Sequence, residues 1–290
     1  MKPPIASFAA LVLVAQSFVS PAHAESPGEA AAEKLGWHLA TKAYTFRAIT
    51  LYETIDIAHT MGLKYFELNP TQKLSAENPV NTNDTLPPEL RAALKAKFAA
   101  AGIKVANYGV VKLTADEAAD RKIFEFAKDM GIATIVSEPP PEAFDLLDKL
   151  TAEYGINVAI HNHPKPSHYW NPQTVLDSIK GHGPRIGACA DTGHWPRSGL
   201  DPVESIKKLD GHIISLHFKD LNERSAGAHD VIWGTGSSNV KAMLAELHRQ
   251  GFSGVFSVEY EYNWTSSMPD IEESIKYFKK VAAELGQKVE

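Results

Sequence analysis

Cysteine is nearly missing from this chain: Cys189 stands alone among 290 residues, which excludes an internal disulfide framework. Basic excess is missing too. Lys and Arg number 29 against 35 Asp and Glu, a formal charge of -6, and no basic stripe marks the sequence, so nucleic acid is not the expected partner. No Gly/Ser-rich or Pro-rich linker divides the middle, and no low-complexity run occurs. Beyond the first two dozen residues no stretch is long and apolar enough to cross a bilayer.

Those first residues, "MKPPIASFAALVLVAQSFVSPAHA", read as a secretory signal at 1–24. Lys2 supplies the positive start, Ile5 to Val19 the apolar segment and Ala22-His23-Ala24 the cleavage site. The expectation is an exported protein, periplasmic or extracellular, with no stable membrane insertion after cleavage. Residues 25–290 remain as one domain, since a barrel of eight βα units takes about 250 residues.

Short apolar runs alternate with amphipathic stretches, the pattern of βα units around a parallel sheet. Strands are expected at 38–46, 64–68, 103–109, 132–138, 156–163, 185–191, 212–220 and 254–261. Helices are expected at 50–61, 87–101, 115–130, 142–154, 172–180, 201–209, 238–250 and 270–286. Eight of each favours an α/β fold of the (β/α)8 TIM-barrel type. Thr114 with Glu117 and Asp201 with Glu204 have capping-box spacing, and Gly62, Gly102, Gly131 and Gly155 stand where helices should end.

Chemistry in such barrels belongs at the C-terminal strand ends. Here those ends carry Glu138, then His161 and His163, then Asp191 with His194, then His217, Lys219 and Asp220, then Glu259 and Glu261. Alternation places Ser215, His217 and Lys219 on one face and Ile214, Leu216 and Phe218 on the other. Ser257, Glu259 and Glu261 likewise oppose Phe256 and Val258, and Ala159, His161 and His163 oppose Val158 and Ile160. The polar sets therefore converge on one barrel mouth. Converging carboxylates repel unless a cation holds them ionised, and mixed nitrogen and oxygen donors suit zinc, manganese or cobalt, with magnesium less favoured. Asp191, His217 and Glu259 are the primary ligand candidates for one divalent ion; Glu138 and His161 contend for the fourth place, and both could bind.

The motifs "HNHP", "CADTGHW", "HFKD", "WGTG" and "VEYE", in this order, resemble the xylose-isomerase-like TIM-barrel superfamily, in particular its sugar phosphate isomerase/epimerase-like branch. The resemblance implies a single metal held by residues of strands five to eight, with Asp191, His217 and Glu259 matching and His161 standing where a glutamate is common. It further implies proton movement next to a sugar carbonyl, which requires an acid/base pair beside the metal. His163, His194, Lys219 and Glu261 are the candidates for that role. Trp195 and Trp233, with Tyr169 and Trp170, offer stacking surfaces; Glu67, Tyr44 and Tyr108 are further substrate contacts; the glycines of "WGTG" would admit close backbone approach. Tyr262 and Trp264 either face substrate or cap the rim.

No phosphate cradle is evident, although Arg197 and Arg224 could meet an anion, so an unphosphorylated ketose or keto-sugar is expected. Alternatives are a lyase or hydrolase of 3-keto-glycosides working by enolisation and elimination, and a non-catalytic sugar-binding barrel. An endonuclease is disfavoured because strands two and three end in "FELNP" and "ANYGV" rather than in histidines. Self-association is left open.

Overall fold

The computed structural model describes residues 26–287, so the signal expected at 1–24 lies outside the described residues. A short helix α1 (Pro27–Lys34) precedes eight strands: β1 (Trp37–Lys42), β2 (Tyr65–Leu68), β3 (Lys104–Val111), β4 (Thr134–Ser137), β5 (Asn157–His161), β6 (Ile186–Asp191), β7 (Ile213–Phe218) and β8 (Gly254–Val258). Each strand pairs in parallel with the next, and β1 pairs with β8 to close the barrel. The expected (β/α)8 architecture is present.

Helices cover the outside: α2 (Leu51–Thr60), α3 (Pro88–Ala101), α4 (Glu117–Met130), α5 (Phe144–Tyr154), α6 (Pro172–Ile179), α7 (His194–Arg197), α8 (Pro202–Lys208), α9 (Val240–Arg249) and α10 (Met268–Gly286). Their inward residues and the outward strand residues form the main core. Phe256 is central to it, ringed by Trp37, Phe218, Phe252 and Phe278 at 5.1–5.4 Å between ring centroids. Each such fully buried side chain contributes on the order of 1.5–3 kcal/mol of transfer free energy.

Local signals explain most boundaries. Gly102, Gly131 and Gly155 end α3, α4 and α5 in the left-handed conformation, with φ of 67°, 71° and 69°. Asp201 caps α8 by accepting from the N–H groups of Val203 and Glu204, with Pro202 in the first turn. Thr114 does not cap α4: its N–H donates to Asp120, and Asp116 takes the capping place by accepting from Ala118 and Ala119. A reciprocal capping box does occur, at Thr50 and Glu53.

Two further differences bear on the mouth. Residues 43–46 continue β1 not as strand but as a 3-10 turn, closed by Arg47 N–H donating to Tyr44 carbonyl oxygen. Alternation puts Ile214 on the helix-covered face with Leu216 and Phe218, but it packs inside the barrel against Val136, Ala159 and Cys189. The register between β6 and β7 shifts between Ala188 and Cys189, and this irregularity breaks the alternation at Ile214. Inside the barrel, Ala159 and Cys189 lie two residues before His161 and Asp191, so an apolar plug underlies the polar strand ends.

Candidate metal centre and pocket

His161, Asp191 and His217 occupy the last turns of β5, β6 and β7, and Glu259 follows β8 directly. Asp191 is in register with His217, whereas His161 pairs with Cys189 and His217 with Ser257, two residues before Asp191 and Glu259, so the ladder sets the four strand ends in a stagger around the mouth. Each of the four is buried and offers one atom within 4.8 Å of the atoms offered by the others.

Carboxylates behind the rings fix which nitrogen faces this cluster. Glu67 Oε1 accepts from His217 Nε2 at 2.7 Å and from Lys42 Nζ at 2.7 Å, while Oε2 accepts from Ser257 Oγ at 2.5 Å and Asn107 Nδ2 at 3.2 Å. An acceptor so occupied is ionised, so His217 carries hydrogen on Nε2 and turns Nδ1 towards Glu259 Oε2 at 3.1 Å and Asp191 Oδ2 at 3.9 Å. Glu138 plays the same part for His161, meeting Nδ1 at 3.1 Å and leaving Nε2 3.5 Å from Asp191 Oδ2.

Between the two contenders of the sequence, His161 is thus in the four-atom group and Glu138 stands behind it. Asn162, between the two histidines, holds the end of β6: it accepts from Asp191 N–H at 2.8 Å and donates to Asp191 carbonyl oxygen at 3.0 Å.

The group fits a divalent cation by its own polar accounting. Asp191 Oδ2 and His217 Nδ1 are buried with no hydrogen-bond partner, an expense a structure carries where something else satisfies the atoms. Lys219 Nζ lies 2.9 Å from Asp191 Oδ2, but as an ion pair out of hydrogen-bond alignment; it also meets Glu259 Oε2 at 3.0 Å and Glu261 Oε2 at 2.6 Å. Burial opposes ionisation of Asp191 and Glu259, yet the Lys219 ammonium beside the first, and Lys219 with His217 beside the second, hold both carboxyls well below the usual range. Burial likewise opposes a charged His217, but Glu67 and Glu259 outweigh it and raise its proton affinity. A site that attracts a proton so strongly attracts a divalent cation for the same reason.

Above the group lies a cavity of about 400 Å³ lined by Lys42, Tyr44, Asn69, Thr71, Gly109 and Val110 on one side and by His161, His163, His194, Glu259 and Glu261 on the other. That volume is in the range of small-molecule sites. His163 and Glu261 reach it from beyond the strand ends, His194 from the first turn of α7. Burial pushes the proton affinity of His194 well down, whereas at His163 the Glu138 carboxylate outweighs burial and pushes it up.

Several residues expected at the substrate lie elsewhere. Glu67 is fully buried behind His217. Tyr108 points outwards and packs on Phe126, because the β2–β3 register shift aims Asn107 inwards instead. Trp195 is buried in the hydrophobic core, and Trp233 sits edge-on to Phe218 in the helical layer. Tyr169 is buried with its hydroxyl donating to Pro139 carbonyl oxygen at 2.5 Å, and Trp170 lies under Lys165.

The "WGTG" loop wraps the Asp220 carboxylate, which accepts from the N–H groups of Gly234, Gly236 and Ser238; a Cβ on Gly236 would come 2.3 Å from Leu221 carbonyl oxygen. Arg224 pairs with Asp201 at 2.8 Å, and Arg197 with Asp230 and Glu261 at 3.1 and 3.3 Å. Tyr44 does line the cavity, and Arg47 lies between its ring and that of Trp264. Lys42, Asn69 and Thr71 had no sequence signal, since early strands and loops reach the mouth only through closure of the barrel.

Among curated proteins none matches the chain. Solved structures do. A protein from Parabacteroides distasonis is 34% identical, with 84% of this chain and 99% of that chain covered and a TM-score of 0.69. A D-tagatose 3-epimerase-like protein is 17% identical over 87% and 100% of the two chains, with a TM-score of 0.68. The IolI protein, whose structure has a bound zinc atom, is 20% identical over 85% and 98%, with a TM-score of 0.62. At such identities the last two show likeness of fold. The xylose isomerase-like TIM barrel model matches residues 55–281, from α2 through α10, and by that match the chain belongs to the xylose isomerase-like TIM-barrel family.

Proposed function

We propose that this protein is a divalent-metal-dependent isomerase or epimerase of an unphosphorylated ketose or keto-sugar, working by enolisation next to the carbonyl. The carrying observation is the pair of unsatisfied buried atoms, Asp191 Oδ2 and His217 Nδ1, in a four-residue group of mixed nitrogen and oxygen donors at the floor of a sugar-sized cavity. His161 through Nε2, Asp191, His217 through Nδ1 and Glu259 would hold the ion, and the donor set suits zinc, manganese or cobalt, with magnesium less favoured. When bound, such an ion supplies Lewis-acid stabilisation for negative charge growing on adjacent sugar oxygens.

The chain's own residues supply the rest. Glu67 and Glu138 orient the two ligand histidines and leave the metal-facing nitrogens unprotonated. His163, His194 and Glu261 line the cavity within reach of a bound sugar and form the pool of proton carriers. Lys219 is fully buried among three carboxylates, and its part is to offset their charge. Of the described residues lining the cavity, Lys42 is the one permanent cation, and it is held by Glu67 and by Gly109 carbonyl oxygen at 2.6 Å. That leaves a phosphate without a free partner there and favours a neutral sugar. An unphosphorylated substrate also accords with export, which belongs to the same proposal.

The test pairs elemental mass spectrometry of the purified protein with incubation of chelated and re-metallated samples with ketosugars in D2O. One equivalent of metal, with metal-dependent deuterium at the carbon beside the carbonyl, is the expected result, and product analysis then separates epimerisation from elimination. Absence of metal after reconstitution would reduce the cluster to a structural or sugar-binding one.

A further inference from the structure

On the β1–β2 side of the cavity, two side chains carry hydrogens that nothing in the fold accepts. Lys42, the last residue of β1, and Asn69, directly after β2, both line the cavity and are only 2% and 5% exposed. An ammonium has three hydrogens. Lys42 Nζ gives one to Glu67 Oε1 at 2.7 Å and one to Gly109 carbonyl oxygen at 2.6 Å, and among the described residues the third has no acceptor. Lys219, the other lysine buried at this end, differs, because three carboxylates surround it.

Asn69 is oriented by Thr71. Its Oδ1 accepts from Thr71 N–H at 3.2 Å and from Thr71 Oγ1 at 3.1 Å. A backbone N–H only donates, so the amide oxygen belongs on that side and Nδ2 on the other, where it is buried with no hydrogen-bond partner. The surrounding loop is tied down. Asn69 carbonyl oxygen accepts from Thr82 Oγ1 at 3.0 Å, and Gln72 Nε2 joins this loop to the turn after β1 by donating to Phe46 and Ile49 carbonyl oxygens at 3.1 and 3.0 Å. Buried donors left unmatched are costly, so a rigid pair beside a cavity marks a place for an acceptor that arrives with the ligand.

The chemistry of the wall selects a hydroxyl. Glu67 already offsets the charge of Lys42, and Glu259 and Glu261 line the same cavity, so an anionic group on this wall would find no free cation. A hydroxyl oxygen can accept from both Lys42 and Asn69 and still has a hydrogen to give. Thr71 Oγ1, which lines the cavity and has spent its own hydrogen on Asn69 Oδ1, keeps lone pairs to receive it.

We propose that Lys42, Asn69 and Thr71 form a specificity-determining site for one sugar hydroxyl beyond the two oxygens of the reacting carbons, so that the protein takes polyhydroxylated keto-sugars and rejects those deoxygenated at that position. The inference rests on the function proposed above and deepens it by narrowing the substrate class. Rejection follows because the deoxy sugar buries the same donors with nothing to accept from them, a larger penalty than a missing methylene brings.

In chelated protein carrying 15N in its side-chain amides, the Nδ2 hydrogens of Asn69 would be followed by proton–nitrogen correlation during titration with ketoses and alditols. Asn69→Asp, which retains the oxygen that holds Thr71, assigns them by their loss. A fully hydroxylated sugar or alditol is expected to shift these signals, and its deoxy analogue at one carbon to leave them in place. Signals that no ketose or alditol moves, or that every deoxy analogue moves equally, would overturn the proposal.

On a sugar that exchanges deuterium with re-metallated protein, loss of that hydroxyl should lower kcat/KM about 100-fold or more. In Asn69→Leu the penalty for the same analogue should shrink about tenfold, as a direct contact requires in a double-mutant cycle. Thr71→Val, at an exposed position, should shrink it in the same direction, which keeps the cycle readable if Asn69→Leu fails to fold. Equal penalties in wild type and variants would remove these residues from the site. If sugars shift the Asn69 amide but none exchanges deuterium, the isomerase reading fails and the hydroxyl site stands. If deuterium enters but every remote deoxy analogue reacts as well as its parent, the hydroxyl site fails and the isomerase reading stands.

Discussion

Glu67 touches no part of the cavity, yet the orientation of His217 depends on it through the 2.7 Å contact with Nε2. Replacing it by glutamine removes the charge that keeps Nε2 protonated and Nδ1 bare. Glu67→Gln is expected to weaken zinc binding about 10- to 100-fold in a chelator competition titration on folded protein. An unchanged affinity would mean that His217 is held by its packing alone. Asp230 makes a second residue-scale case. Burial raises its carboxyl to about 6, against the opposing charges of Lys219 and Arg197, and its Oδ1 has no partner.

A group whose folded value lies above its unfolded one of 3.8 contributes stability that is fully present below 3.8 and lost as pH rises through about 6. Wild-type protein should therefore lose stability relative to Asp230→Asn between pH 4 and 7, by up to about 3 kcal/mol. Urea melts of the chelated proteins at the two ends of that window would show it, and a constant difference would refute it.

At the scale of elements, helix starts were partly misread from spacing. Asp201 before Pro202 was legible because both residues are strong at those positions, and it caps α8. The pairing of Thr114 with Glu117 has the right spacing, but Asp116 is nearer the first turn and its carboxylate out-competes a hydroxyl two residues away. Asp116→Ala should cost about 1 kcal/mol in urea melts, whereas Glu117→Gln, which removes only exposed ion pairs, should change stability by less than about 0.5 kcal/mol.

Strand positions were legible from apolar runs to within two residues at their starts, while several ends were read too long. Glu259 and Glu261 at β8 and His163 at β5 lie past the last ladder pair, on backbone the barrel rim shapes. The error at Ile214 has the same origin: alternation holds only while the ladder stays in register, and the shift between β6 and β7 leaves no mark in the residue types.

For the whole molecule, closure of the barrel makes one site from residues far apart in sequence: Glu67 meets His217 across 150 positions and Ser257 across 190. A cation held among these buried carboxylates and rings would offset the cost of gathering them at one end, and its binding would be linked to stability. At metal concentrations near 100 times Kd the linkage is worth about 2.7 kcal/mol, and chelation should lower Tm by roughly 5–10 °C, in a scan that recovers on adding the metal back. A Tm indifferent to zinc, manganese and cobalt would count against a metal in the four-residue group.

By itself the sequence determined the eight-fold alternation of strands and helices and the enrichment of acids and imidazoles at the late strand ends, because both are periodic, local properties of the chain. It also brought Asp191, His217 and Glu259 forward together with His161, His163, Lys219 and Glu261, since all of them stand at successive late strand ends. Only the tertiary structure decided that Glu138 and Glu67 stand behind His161 and His217, that Tyr108, Trp195 and Trp233 belong to packing, and that Arg197 turns its charge to His194, Asp230 and Glu261. The physical reason is that a hydrogen-bond partner is chosen by which strands lie side by side and in what register, and closure of the barrel sets both.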